Sequence, residues 1–331
     1  MNYTKLITGV LSFLGILILI LDGKTALEGA NAGIMLCIQA VIPSMFPFFV
    51  LSSIFSTSLT GIPIPILKPI AAFCGLPSGA EPLLIAGFLG GYPSGAQCIF
   101  QAYSNGNLTK KDSERLLRFC SNAGPAFLFG MVSPLFPGPS YAWKLWGIHI
   151  ASSLLIGFFS NHNSGSQNIP VPRAAPSLSD SVLTSVRAMA AVCGWCILFR
   201  ILITFFEHWF FWLLPSEIQV LFTGLLELSN GCIALREIES IELRFLLCSV
   251  FLSFGGLCVT MQTSSVIGDL SPWPYLRGRC LHTLFSLILS ALIITNRSIF
   301  FLAAIPLLLF FRKKRKIPIA IGPALLYNEK V

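Results

Sequence analysis

The sequence predicts an all-α fold, a polytopic bundle of transmembrane helices. Of its 331 residues, 54% are hydrophobic and only 11% are charged, and the mean hydropathy is +0.78. Soluble domains carry about 25% charged residues, so this chain cannot cover its apolar segments with polar surface. Apolar runs long enough to cross a bilayer recur along the chain. Together these observations predict a multi-pass protein whose surroundings are the lipid bilayer.

The net charge of +8 comes from basic residues at the ends of apolar segments. They are densest in Arg312–Lys316, and a second group lies in the loop 104–118. Basic residues that flank spans mark the cytoplasmic side, so we expect both regions to face the cytoplasm of a bacterial cell. A lipid-headgroup site is the alternative for the first cluster. Nucleic acid is not an expected partner.

The predicted elements follow in chain order. The N-terminal run is a transmembrane helix or signal anchor, with a secretory signal cleaved near Ala30–Ala32 as the alternative. Later apolar segments are expected at 32–57, 62–76, 82–103, 116–136, 141–160, 187–214, 218–235, 244–268, 280–295 and 298–311. Prolines in 62–76 favour a re-entrant or interfacial piece over a span. Five parts result: the N-terminal helix 1–30, a first repeat 31–160, a polar proline-rich linker 161–186, a second repeat 187–296, and a C-terminal helix with the basic tail 297–331.

Two clusters of glycine and polar residues interrupt apolar runs at corresponding positions. Gly87–Gln97 has a counterpart in Gly224–Ala234, and a second break follows in each half, at Cys120–Pro125 and at Ser253–Gly256. Polar backbone freed inside a membrane must be buried in protein or line a watery cavity. Paired interrupted helices in two halves are typical of transporters with inverted repeats, whereas chance likeness between apolar segments is the alternative.

At these four motifs the chain resembles the nucleoside-recognition or Gate domain superfamily, and within it the YlbJ-type sporulation integral membrane proteins. The likeness covers roughly residues 30–295. It implies two gate repeats with helical hairpins and a solute path between them, as in superfamily members that transport ferrous iron or nucleosides. It also implies a role in sporulation, but it does not identify the solute.

Glu227 is the sharpest candidate site residue, because an ionisable group at membrane depth is costly and marks function by default. It could bind a cation or a ligand hydroxyl or carry a coupling proton, and a structural carboxyl is the alternative. Neutral hydrogen-bonding side chains near the breaks suit a polar solute or serve helix packing. The predicted substrate-binding residues are Tyr92, Ser94, Gln97, Ser121, Asn122, Glu227, Asn230, Gln262 and Thr263. The predicted hairpin and backbone positions are Gly90, Gly91, Pro93, Gly95, Gly124, Pro125, Gly231, Gly255 and Gly256.

Other polar residues in apolar segments carry weaker expectations. His149 and His282 are proton relays or, more simply, hydrogen-bonded helix residues. Arg200 and Glu207 share a helix face, but we expect no direct pair. Cys193 and Cys196 have the CxxC spacing of metal and redox motifs. No matching second pair follows, so we predict neither a metal ligand nor a cofactor.

The sequence carries none of the local motifs of P-loop, zinc-protease, serine-hydrolase or EF-hand proteins, so we do not expect an enzyme. The first functional hypothesis is a transporter-like protein that moves a small polar solute, nucleoside-like or an ion. The alternative is a non-transporting membrane scaffold for spore envelope assembly, and an enzyme acting on lipid is a third. A second copy or another membrane protein is an open partner.

Overall fold

The computed structural model describes residues 3–160 and 177–295, and within these ranges the chain is helical and free of β-strands. Among the described residues, five helices are long and apolar enough to cross a membrane. They are Gly23–Leu59, Ser140–Phe159, Leu178–Trp209, Ile241–Val266 and Pro272–Ile294. These helices confirm the prediction of an all-α polytopic bundle. The contacts described below all lie within the unit Met1–Ser290.

The first three helices are α1 (Tyr3–Leu21), α2 (Gly23–Leu36) and α3 (Ile42–Leu59), with a π-helical turn at Cys37–Val41. Asp22 caps α2 by accepting from the Thr25 N–H at 3.3 Å, and the hydrogen bond with Thr25 lowers the pKa of this carboxyl. The continuous helix of 37 residues is about 55 Å long, more than the bilayer core of about 30 Å. The Ala30–Ala32 motif lies inside α2.

The rest of the first half is built from short helices followed by one long one. The predicted re-entrant segment 62–76 contains only a 3₁₀ turn at Pro65–Leu67 and the six-residue α4 (Lys68–Phe73), both too short to span. Then come α5 (Glu81–Leu89), α6 (Ser94–Ser104), α7 (Lys110–Leu117), α8 (Pro125–Phe127, continued by a π-helical turn Leu128–Val132 and a 3₁₀ turn Ser133–Leu135) and α9 (Ser140–Phe159).

The second half begins with α10 (Leu178–Trp209), followed by α11 (Ser216–Leu226), α12 (Leu228–Ala234), α13 (Ile241–Phe254), α14 (Gly256–Val266) and α15 (Pro272–Ile294). Short 3₁₀ turns lie at Phe211–Leu213 and Leu235–Glu237.

Two helices of the second half begin earlier than the predicted apolar segments. Residues 178–186 of the predicted linker are helical, because Ser177 caps α10 by accepting from the Asp180 N–H at 3.0 Å. The last described helix begins at Pro272, eight residues before the expected 280. Residues 161–176 of the linker and the predicted C-terminal helix and basic tail lie outside the described residues.

The helix breaks occur where the glycine clusters predict them. The chain leaves helical geometry between α5 and α6, between α7 and α8, and at single residues between α11 and α12 and between α13 and α14. The last break is at Gly255, whose φ of 82° is in the left-handed region that favours glycine. The prediction of broken helices is therefore confirmed.

One basic residue of the loop 104–118 is not a solvated charge. Arg115 is 6% exposed and donates to the carbonyls of Cys74 and Gly75, at 3.0 and 2.8 Å. Lys110 instead lies at the surface and pairs with Asp269 at 3.5 Å. The loop 104–118 and the α14–α15 connection therefore lie at the same end of the bundle.

Candidate functional site

The first break makes a helical hairpin, because α5 and α6 fold back against each other through glycines. A Cβ on Gly95 would lie 2.8 Å from Gly87 Cα, and a Cβ on Gly87 would lie 2.2 Å from the Cys120 carbonyl oxygen. The Asn122 N–H donates to the Gly87 carbonyl at 3.2 Å. Small residues thus let the second break of the first half, Cys120–Pro125, lie directly on the hairpin.

The second break repeats this packing with different residues. A Cβ on Gly231 of α12 would lie 2.1 Å from Gly224 Cα of α11, and a Cβ on Gly224 would meet the Phe251 ring of α13 at 2.3 Å. A Cβ on Gly256 would come within 3.2 Å of the Gly224 carbonyl oxygen. In each hairpin, therefore, a glycine contact joins the two arms. Each hairpin also packs against the next helix break of its own half.

A cavity separates the two hairpins, and both contribute to its wall. It offers about 40 Å³ of space for the centres of water-sized molecules, which is enough for about three waters. Its lining residues are Val41, Met45, Phe48, Leu89, Gly90, Gly91, Tyr92, Ala123, Gly124, Ala126, Phe127, Val192, Cys196, Glu227, Leu228, Ser229, Val259 and Gln262.

Glu227 is the one acidic side chain in this lining, and it is 1% exposed. It ends α11 and caps α12, with its Oε2 accepting from both the backbone N–H and the side-chain amide of Asn230 at 2.7 Å. Within the described residues no basic side chain forms an ion pair with it. Ser229 also donates to this carboxyl, so neutral donors hold it.

Arg200 and Glu207 do form an ion pair, contrary to the expectation. Two parallel contacts join the guanidinium to the carboxylate, at 2.9 and 3.0 Å. The two residues are two helical turns apart on one face of α10, and their long side chains bridge that distance. Arg200 Nη1 also reaches Asn230 Oδ1 at 3.5 Å, which connects this pair to the residue that holds Glu227.

Arg279 is a central residue that the sequence reasoning missed. It is fully buried on α15, where Nη1 donates to the Tyr92 hydroxyl and lies 3.5 Å from both Asn122 Oδ1 and the Ser253 carbonyl. Its guanidinium also lies 5.6 and 5.2 Å from the ring centroids of Tyr92 and Tyr275. Among the described residues no carboxylate pairs with it, so aromatic rings and carbonyls hold this charge.

His149 and His282, from corresponding places in the two halves, are in contact. Their ring centroids are 4.4 Å apart, and His282 Nε2 lies 2.8 Å from the His149 carbonyl oxygen. His149 Nε2 accepts from the Ala123 N–H at 3.0 Å. His149 therefore supports the extended backbone of the break at Cys120–Pro125, beside the cavity.

Only some of the predicted site residues border the cavity. Tyr92, Glu227 and Gln262 line it, as do the backbone positions Gly90, Gly91 and Gly124. Asn230 does not line the cavity, but it donates two hydrogen bonds to Glu227, which does. The remaining predicted residues pack behind the wall or within the hairpins and are absent from the lining: Ser94, Gln97, Ser121, Asn122, Thr263, Pro93, Gly95, Pro125, Gly231, Gly255 and Gly256.

Three potential metal donors meet at one side of the cavity. The sulfurs of Cys196 and Cys258 and a carboxylate oxygen of Glu227 all lie within 4.8 Å of one another. Cys193, the other half of the CxxC spacing, is outside this group and accepts through its carbonyl from the Cys37 thiol at 3.8 Å. The CxxC motif therefore does not act as a unit here.

Fold and site together define a polytopic integral membrane protein with two helical hairpins around a small central cavity. The chain is similar to the sporulation integral membrane protein YlbJ of Bacillus subtilis (strain 168). The two are 22% identical over 319 residues, which covers 80% of this chain and 76% of that protein. No family model and no solved structure matches the chain. The resemblance to the Gate superfamily stays a prediction.

Proposed function

We propose that this chain is a transporter-like protein of the bacterial cell membrane that moves a small polar solute or ion through the cavity between two gate repeats. The observation that carries the proposal is the shared wall of that cavity. Gly90, Gly91 and Tyr92 come from the first hairpin, and Glu227 and Ser229 come from the second. Relative motion of the two hairpins would change the access to the site, as in transporters built from inverted repeats.

The size of the cavity favours a solute much smaller than a nucleoside. Space for about three waters accommodates a partly dehydrated ion, whereas a nucleoside would require the hairpins to separate. The single carboxyl in the lining favours a cation over an anion, since a buried charge is stabilised by an opposite charge. An ion is therefore the first solute to test.

We infer the orientation from the basic residues. Lys110 and Lys111 lie at the end of the bundle that also holds Asp269, and we place this end in the cytoplasm. The predicted basic tail, which lies outside the described residues, would then face the cytoplasm as well. A role in sporulation is inferred from the similarity to YlbJ.

Transport is tested with the purified chain in proteoliposomes. We would measure initial uptake of Na⁺, K⁺, divalent cations and labelled nucleosides by the wild type, by Glu227→Gln and by Glu217→Gln. Glu217 is the matched control, because it lies on the same hairpin but is exposed and does not line the cavity. Losing a charge-assisted contact of about 1.5–3 kcal/mol weakens binding roughly 10- to 100-fold, so Glu227→Gln should nearly abolish uptake at low solute concentration. Equal uptake by the two variants would exclude Glu227 from the solute path.

A scaffold for spore envelope assembly is the second candidate, favoured by the dense packing of the centre. Tyr92, Asn122 and Arg279 satisfy one another with hydrogen bonds, and little open volume remains. A scaffold predicts that a deletion strain's sporulation defect is rescued by Glu227→Gln as well as by wild type. A transporter predicts that Glu217→Gln rescues the defect as the wild type does and that Glu227→Gln does not.

A further inference from the structure

We propose that Cys196, Cys258 and Glu227 bind one thiophilic transition-metal ion, of the Zn²⁺ class, in the wall of the central cavity. The three residues come from α10, α14 and the α11–α12 break, so three separate segments converge on one point. Their donor atoms all lie within 4.8 Å of one another. The site would also link the second hairpin to the long helix α10.

The donor distances match what one ion can bridge. Two sulfurs bound to the same tetrahedral Zn²⁺ lie about 3.8 Å apart, because each Zn–S bond is about 2.3 Å. The donor atoms here are 4.8 Å apart or nearer. They therefore need to approach one another by about 1 Å or less to bind one ion. Side-chain rotation supplies such a shift without moving a helix.

The chemistry of the donors selects the class of ion. Thiolates prefer soft and borderline ions such as Zn²⁺, Cu⁺ and Fe²⁺, whereas Mg²⁺ and Ca²⁺ prefer sets of oxygen ligands. Two sulfurs and one carboxylate oxygen form a three-ligand set with room for a fourth. The neighbouring Cys37 thiol, which contacts Cys196, or a water from the cavity can complete it.

A bound cation would also solve an electrostatic problem. Glu227 is buried and, among the described residues, has no basic ion-pair partner. Buried charges are normally paired or coordinated to a metal. The hydrogen-bond donors that face the carboxyl, from Asn230 and Ser229, are all neutral, so they leave its charge unpaired and a cation would balance it.

Gln262 would support the site from the second coordination sphere. Its side-chain Nε2 lies 3.2 Å from the Cys258 sulfur and 3.5 Å from the Cys196 sulfur. Amide donors that face thiolates stabilise their negative charge, and loss of such a partner typically weakens metal binding about 10- to 100-fold. Gln262→Ala should therefore bind metal more weakly without losing a ligand.

The test is metal binding by the full chain in detergent, reduced with a phosphine and titrated with Co²⁺ and Zn²⁺. We expect one ion per chain and thiolate-to-cobalt charge-transfer absorption. Cys196→Ser and Cys258→Ser should lose both signals, and Glu227→Gln should lose tight binding. Two matched controls should bind like the wild type. Cys232→Ser changes a buried thiol outside the group, and Cys193→Ser removes the other half of the CxxC spacing.

A second measurement needs no variant that could fail to fold. Zn²⁺ should slow maleimide alkylation of Cys196 and Cys258 in the wild type, while the exposed Cys280 reacts at the same rate with and without the ion. The proposal is overturned if the wild type binds no ion, if Zn²⁺ leaves both alkylation rates unchanged, or if only Cys193→Ser and Cys196→Ser lose binding. Binding in detergent is independent of transport, so failure here and failure of the transport proposal are separate results.

Discussion

The two helical hairpins share their packing and differ in charge. In each, a glycine of the first arm contacts a glycine of the second, Gly87 with Gly95 and Gly224 with Gly231. The break between the arms then borders the cavity. Similar backbone packing from different residues shows that the close approach of the arms, and not a particular side chain, defines the hairpin.

The two hairpins differ in the charged residue that lies next to each break. The first break contributes Tyr92, whose hydroxyl is anchored by the buried cation Arg279 behind the wall. The second break contributes the carboxyl group of Glu227 directly to the cavity. The cation lies behind the wall and the carboxyl borders the cavity, so the cavity should attract positive charge. Each of the following changes alters one side of this comparison.

The largest effect is expected from filling the glycine contacts. Gly87→Ala places a methyl group 2.2 Å from the Cys120 carbonyl oxygen, so the first hairpin must move away from the break at Cys120–Pro125. Gly231→Ala places one 2.1 Å from Gly224 Cα, so the arms of the second hairpin must separate. Overpacking of this kind costs about 3 kcal/mol or more. The measurements are the yield of monodisperse protein and the thermal unfolding midpoint in detergent.

Gly194→Ala is the control for that pair, because a Cβ at Gly194 meets no atom within 4 Å. Alanine at an unobstructed helix position should be neutral or stabilise by up to about 1 kcal/mol. If only one hairpin variant loses stability, the two hairpins do not share the same packing dependence.

The next effect is expected from Arg279→Met, which removes the cation behind the first hairpin. The Tyr92 hydroxyl loses its donor, and so do the Ser253 and Arg118 carbonyls. Hydrogen bonds from a charged donor contribute about 1.5–3 kcal/mol, so we expect a loss of about 2 kcal/mol. Arg277→Met, at an exposed position on the same helix, should change the unfolding midpoint little. Equal midpoints for the two variants would mean that Arg279 does not hold Tyr92.

Sequence reasoning located the breaks because glycine, proline and polar residues inside apolar runs are local signals. It missed Arg279 because the last span was expected to begin at residue 280. The helix begins at Pro272 instead, so Arg279 lies within it. The early start of α10 could have been found, because Ser177 and Asp180 have capping-box spacing. The meeting of Cys196 with Cys258 had no such signal, because tertiary packing alone brings α10 and α14 together.

A smaller effect is expected from the cap of the second hairpin. Glu227→Ala removes the acceptor of the Asn230 N–H at the start of α12, and loss of a helix cap costs about 1 kcal/mol. Glu227→Gln keeps an acceptor oxygen and should retain most of this stability. Comparing the unfolding midpoints of the two variants separates the capping role from the charge. A midpoint that falls equally in both would assign the stability to the charge itself.

The smallest effect is expected at the rim, where Lys110 of the first half pairs with Asp269 of the second at 3.5 Å. Both side chains are more than half exposed, so solvent and salt screen their attraction. Such pairs contribute about 0.5 kcal/mol, and added salt weakens them further. Lys110→Ala should therefore shift the unfolding midpoint slightly at low ionic strength and not at all near 1 M salt. A shift that persists at high salt would show that the Lys110 hydrogen bond to the Asp269 carbonyl, 2.9 Å long, ties the two halves together independently of charge.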